Sequence, residues 1–236
     1  MKRWLRYGGA SLKGLYDENK DAWTIIGHQA SQKGVIFIVC DGVSVTPEGK
    51  WAAECTCKTL TEYYRKSDKI SSQGLSQSII EANWLVRGQG RGVAACTVTL
   101  GWIFEDILHI IYVGDSPAFH IHNGAVSKMT LARQTGPLRS YIGMGPLITE
   151  HIKVEQTKLS DGDWVVLASD GVGDFLSLPT LIEQCKESPL YLNEFAISVI
   201  TGTQELNNED DATVMILNYR VGESIDSSIE PIFVLK

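Results

Sequence analysis

Read in order, the chain gives strands, two helices, strands, two helices and a strand, and this order predicts an α+β fold with antiparallel strands packed centrally and helices outside on both sides. Three observations carry that prediction. The helical patterns come in consecutive pairs, whereas a doubly wound parallel sheet would alternate single helices with strands. The strands between the pairs are joined by tight turns, with the hairpin signal Asn-Gly in His122-Asn123-Gly124-Ala125. The run Val35-Ile36-Phe37-Ile38-Val39-Cys40 is apolar and rich in branched residues throughout, which reads as a strand buried on both faces.

Composition bounds the answer before any motif does. A chain of 236 residues with 44% hydrophobic content fits one large globular domain, taken here as residues 1–236 with 221–236 as a C-terminal tail. The run from Val35 to Cys40 falls far short of the ~20 residues a membrane span needs, and the start has positive charge but no apolar core of a secretory signal. Five cysteines without framework spacing fit a reducing compartment, so a soluble, cytoplasmic protein is expected. The net charge of −7, from 28 acidic against 21 basic residues, argues against a nucleic-acid partner. A monomer is expected.

Taken along the chain, Arg3 to Tyr7 reads as a short strand ended by Gly8-Gly9. After a polar loop, Asp21 opens a strand from Ala22 to His28, and Gln29 to Gly34 turns into the Val35–Cys40 strand, the pattern of a meander. Asp41-Gly42 leads to a helix from Lys50 to Lys66, with Ala52, Cys55, Thr59 and Tyr63 along one side. A second runs from Ser72 to Arg87, with Leu75, Ile79, Ala82 and Val86 at helical spacing. Gly88 to Gly92 breaks the pattern, and strands follow at Ala94–Phe104, Ile107–Val113, Ala118–His122 and Ala125–Met129. Leu131 to Pro137 is an irregular connection, with strands at Ile148–Val154 and Asp163–Ser169. Ser177-Leu178-Pro179 opens a helix to Glu187, with proline in its first turn; another covers Leu190–Ile200, and Ala212–Tyr219 is a strand. The polar tail ends in Ile232-Phe233-Val234-Leu235, which either docks as an edge strand or meets a partner.

The charged residues at the strand ends are the informative ones. Asp41, Asp115 and Asp170 each follow a strand, while Asp21 and the pair Asp210-Asp211 each precede one. A single such aspartate is an ordinary turn residue. Gathered at one rim, like charges repel unless a cation lies between them, and oxygen-only ligation selects magnesium or manganese. Two such ions can share a bridging water and neutralise a phosphate as that water attacks in line.

The segments Asn19-Lys20-Asp21, Val39-Cys40-Asp41-Gly42, Cys96-Thr97, Val113-Gly114-Asp115-Ser116, Gly143-Met144-Gly145, Leu167-Ala168-Ser169-Asp170-Gly171 with Asp174, and Asp210-Asp211-Ala212-Thr213-Val214 occur in an order that resembles the metal-dependent serine/threonine protein phosphatases of type 2C. The resemblance implies a four-layer α/β/β/α sandwich, two antiparallel sheets flanked by helix pairs, and a phosphorylated protein substrate. It further implies that Asp41 bridges two Mn2+ or Mg2+ ions, that Asp170 and Asp210 complete the first, and that Asp21 and the Gly42 carbonyl complete the second. Asp115 and Asp174, with Asp170, match a looser third site. Asp174 read on its own is a helix N-cap before Phe175-Leu176. Asp211, where the family has asparagine, competes with Asp210, and Asp210 is favoured.

Departures from the pattern sit around the substrate. The family's phosphate-binding arginine falls at Tyr16, with Arg6, Lys13 and Arg139 as conceivable replacements, and Val43-Ser44-Val45 stands where some members carry a histidine. His120 and His122 read as surface polar groups. The stretch Leu131–Ile142 is too short for the flap of bacterial relatives, so a cleft without a flap is expected. Two other readings stand beside phosphoprotein hydrolysis: a catalytically silent binding module, and a small-molecule phosphohydrolase.

Overall fold

The computed structural model describes residues 2–27, 33–90, 92–131, 138–187, 190–206, 208–222 and 232–235. The sequence readings at His28, the turn 29–32, the connection 132–137 and the tail 223–231 lie outside them. The elements run β1 (Lys2–Leu12), β2 (Ala22–Gly27), β3 (Val35–Cys40), α1 (Gly49–Lys66), α2 (Ser72–Gln89), β4 (Val98–Phe104), β5 (Ile107–Val113), β6 (Ala118–His122) and β7 (Ala125–Lys128). They continue with α3 (Ile148–His151), β8 (Lys153–Lys158), β9 (Trp164–Ala168), α4 (Asp170–Gly173), α5 (Leu178–Lys186), α6 (Leu192–Gln204), β10 (Ala212–Gly222) and β11 (Ile232–Leu235).

Two sheets result, ordered β11-β1-β10-β9-β6-β7 and β2-β3-β4-β5-β8. Every described pairing within them is antiparallel. Side chains alternate across a strand, and β3 uses both faces. Val35, Phe37 and Val39 enter a core shared with Met215, Leu217 and Tyr219 of the other sheet, while Ile36, Ile38 and Cys40 enter a core shared with α1 and α2. Strand β10 mirrors it, sending Val214 and Ile216 toward α5 and α6. Three apolar layers therefore separate four layers of structure, the expected α/β/β/α sandwich.

The structure corrects several readings. The first strand does not end at Gly8-Gly9 but runs to Leu12, because a Cβ at Gly8 would strike the Leu192 backbone and one at Gly9 the Trp23 ring. It joins β10 and β11, not β2, whereas β2 and β3 are antiparallel neighbours as read from the sequence. Ile148–Val154 begins as helix α3, since Ile148 and Ile152 pack on one core at the spacing of a helical turn, and the strand starts only at Lys153. The buried side of α1 is Ala52, Ala53, Thr56, Cys57, Leu60 and Tyr64, so of the stripe read from the sequence only Ala52 is buried, while Cys55, Thr59 and Tyr63 are half-buried beside it. The chain end docks as an edge strand, with Phe233 stacked on Tyr7 at 4.9 Å between centroids.

Gly101 lies directly opposite Phe37 in the β3–β4 ladder, and a Cβ there would run into the aromatic ring. Gly101→Ala is expected to cost about 1–3 kcal/mol by overpacking. A lowered denaturant midpoint with an unchanged slope would show it.

Candidate metal centre

The topology brings the acidic strand ends to one edge. Strands β2 and β3 are antiparallel with Ala22 opposite Cys40, so the residue before β2, Asp21, neighbours the residue after β3, Asp41. Strands β9 and β10 are antiparallel with Ala168 near Val214, which places Asp170 beside Asp210 and Asp211. Strand β5 runs parallel to β3 through the intervening β4, so Asp115 emerges at the same edge. The sheets meet there: the Asp170 amide lies 3.5 Å from Asp41 Oδ2, a long hydrogen bond.

The carboxylates of this edge raise one another's proton affinity. Burial, then the charges of Asp21 and Asp170, a hydrogen bond with Asp170 and the charge of Asp210 push the Asp41 carboxyl well above the usual carboxylate range. Asp21 is pushed up to about 7 by burial, opposed by hydrogen bonds from the Thr213 and Ser169 hydroxyls and reinforced by Asp211 and Asp170. Asp21 Oδ2 is buried without a hydrogen-bond partner. An orphaned carboxylate oxygen among carboxylates, with no nitrogen or sulfur donor among them, fits a hard divalent cation.

Asp211 is occupied elsewhere. It is 3% exposed, its Oδ1 accepts the Gly14 amide at 2.8 Å and its Oδ2 the Lys20 amide at 2.7 Å. It therefore clamps the Gly14–Lys20 loop against the site. Asp210 is held by the Ser44 hydroxyl at 3.1 Å and the Asp211 amide at 2.9 Å. Gly42 bridges to Cys96, and the Asp41 amide lies 3.3 Å from Thr97 Oγ1, which meets Ser116 Oγ at 2.6 Å; this row of small polar groups seats Asp41 next to the Asp115 turn. The sequence reading did not single out Ser169 and Thr213 as supports of Asp21. Their only signal was a hydroxyl on each of two neighbouring strands beside the acidic pair.

A cavity of about 320 Å³ opens at Asp170 and Asp210, lined also by Tyr16, Asp174, Phe175 and Glu209, with Gly171 and Asn208; the half-buried Asp21 and Asp41 are not part of its lining. Asp174 closes α4, and the cap of α5 is Ser177, which accepts the Thr180 amide; the N-cap reading of Asp174 is thereby overturned. Of the conceivable replacements for the missing arginine, none lines this cavity. Lys13 Nζ donates to the Tyr16 carbonyl, and the Arg6 guanidinium to the Leu190 carbonyl. Lys20 Nζ donates to the carbonyls of Ser44 and Thr46, bracing the loop that follows Asp41.

His120 is not a surface group. Its Nε2 lies 2.8 Å from Asp163 Oδ2 and His122 Nδ1 lies 2.7 Å from Oδ1, around a carboxylate 2% exposed. Asp163 precedes β9, so this cluster sits at the opposite edge from Asp170.

Solved structures that share the fold include the catalytic domain of the serine/threonine protein phosphatase PstP in complex with two manganese ions, at 19% identity and TM-score 0.77, covering 93% of this chain and 100% of that one. The serine/threonine phosphatase of S. agalactiae aligns at 18% identity and TM-score 0.80, covering 91% and 99%. The phosphatase Stp1 of Staphylococcus aureus aligns at 16% identity and TM-score 0.77, covering 93% and 96%. No curated protein matches the sequence. A family model described as protein phosphatase 2C matches residues 15–209. Because that match spans most of the sequence, including the acidic strand ends from Asp21 to Asp174, the chain belongs to the protein phosphatase 2C family.

Proposed function

We propose that the chain is a single phosphatase domain that hydrolyses phosphoserine and phosphothreonine in proteins at the acidic cavity, with two divalent ions, manganese or magnesium. The observation that carries this is the orphaned, buried Asp21 Oδ2 among carboxylates that raise one another's proton affinity. Asp41, Asp170 and Asp210 would hold the first ion, and Asp21, Asp41 and the Gly42 carbonyl the second; Asp170 with Asp115 and Asp174 offers a third, looser place. Bound there, the ions supply Lewis acidity, a water acidified enough to attack, and charge that neutralises the phosphate oxygens.

The protein's own groups hold that arrangement in register. Ser44 fixes Asp210, the hydroxyls of Ser169 and Thr213 ease the negative charge of Asp21, and Asp211 holds the Gly14–Lys20 loop so that Tyr16 walls the cavity. A silent binding module is not favoured, because the chain belongs to the protein phosphatase 2C family and Asp21, Asp170 and Asp210 all act on the charge of Asp41. The free thiols of all five cysteines support a reducing, cytoplasmic setting. Purified protein with manganese should hydrolyse p-nitrophenyl phosphate and a phosphoserine peptide, and chelation should stop both; no turnover of either would overturn the assignment.

Tyr16 occupies the cavity wall at the position of the family's arginine. A guanidinium there would add a charge-assisted hydrogen bond to the phosphate. Tyr16→Arg is expected to lower the KM for a phosphopeptide about tenfold with little change in kcat, read by steady-state kinetics. An unchanged KM would remove Tyr16 from the phosphate's surroundings.

A further inference from the structure

We infer that the groove between α5 and α6 reads the substrate: it takes one apolar side chain of the protein segment whose phosphoserine lies in the acidic cavity. The inference deepens the phosphatase reading and rests on it. Its starting point is the composition of the cavity wall. Among the described residues that line it there are carboxylates and two aromatic rings, Tyr16 and Phe175, and no lysine or arginine. Among these described lining residues the phosphate meets no side-chain cation, so beyond what bound ions supply, affinity for a substrate is gathered from the residues that flank the phosphoserine.

The groove lies where those residues would run. Phe175 belongs to both walls, and beyond it Leu176, Leu181, Val199, Gly202 and Leu206 line an apolar space of about 230 Å³. A cavity of roughly 150 Å³ holds a benzene molecule, so this one accepts a leucine or phenylalanine side chain. Leu206, 57% exposed, stands at its rim.

Gly202 supplies a separate observation. It sits inside α6, where glycine is among the poorest helix formers. Its φ is not in the left-handed region, and a Cβ placed on it would meet nothing within 4 Å. Neither the backbone nor packing asks for glycine here, and the missing side chain leaves the groove open. Glu205 on the groove and Glu209 on the cavity add negative charge along the path. That charge sets the surface against acidic flanks and in favour of neutral or basic segments carrying one apolar residue.

The test is a set of phosphoserine peptides with a single leucine moved through the four positions on either side of the phosphoserine, alanine and glutamate being the alternatives at each place. Values of kcat/KM would be measured with manganese for the native chain, Gly202→Trp and Leu206→Glu, with p-nitrophenyl phosphate as the substrate that has no flank. The native protein should favour leucine over alanine about tenfold at one position or two adjacent ones, and should disfavour glutamate there. Gly202→Trp, whose Cβ enters open space and whose ring would occupy the groove, and Leu206→Glu should both erase that preference while p-nitrophenyl phosphate is turned over at the native rate. Turnover of that small substrate together with a flat peptide ranking, or a ranking that survives in both variants, would overturn the inference alone. A native protein inactive on every substrate would overturn the phosphatase reading and this inference with it.

Discussion

Asp41→Asn should reduce phosphatase turnover by about 10³-fold or more, the scale on which loss of one preorganised electrostatic group acts, and should at the same time raise the melting temperature of the metal-free protein. The two effects share one cause. Asp41 is the carboxylate on which the others converge: Asp21, Asp170 and Asp210 all act on its charge, and the Asp170 amide approaches its Oδ2. In the presence of metal, that density of negative charge is what holds the ions. Without metal it is repulsion within a desolvated pocket. Asparagine keeps the shape and removes one of the charges. A melting curve in chelator and a turnover assay in manganese measure the two halves. A variant that loses activity but melts lower than the native chain would mark Asp41 as a structural residue instead.

The metal itself should have the second-largest effect, and its size should depend on pH. Asp21 is raised to about 7, far above the usual carboxylate value, and Asp41 moves the same way. Between the unfolded and folded values the native metal-free state holds protons that the unfolded chain has already lost. Its stability therefore falls as pH rises across that window and is greater at pH 5.5 than at pH 8. A divalent ion reverses the dependence, because it binds the deprotonated carboxylates and displaces their protons. At about 100 times its dissociation constant, manganese stabilises by about 2.7 kcal/mol, which for a domain of this size is roughly 5–11 °C in melting temperature. The shift should be larger at pH 8 than at pH 5.5, in calorimetry with and without chelator. Equal shifts at the two pH values would place the ions away from Asp21 and Asp41.

Much of this site could be read from residues close together in the chain. Val35 to Cys40 followed by Asp41-Gly42 announced a buried strand ending in a carboxylate, and β3 is buried along its whole length. The α2 stripe Leu75, Ile79, Ala82 and Val86 is likewise buried as its spacing requires. Patterns of this kind depend on neighbours within a turn or two, and so does the preference for aspartate where a strand gives way to a loop.

What the sequence by itself determined, then, was the kind and order of the elements and the aspartates at their ends. Only the tertiary structure decided which strands pair, that Asp211 clamps a loop and leaves Asp210 facing the cavity, that Tyr16 forms part of the wall, and that His120 is buried against Asp163. The reason is the separation of the partners. Lys2 pairs with Gly222, and the Gly14 amide finds Asp211 across the whole chain. A periodicity records only which face of an element is apolar. Which surface meets that face is fixed when the two sheets and their helices close over a common core and the distant polar groups at their edges must satisfy one another.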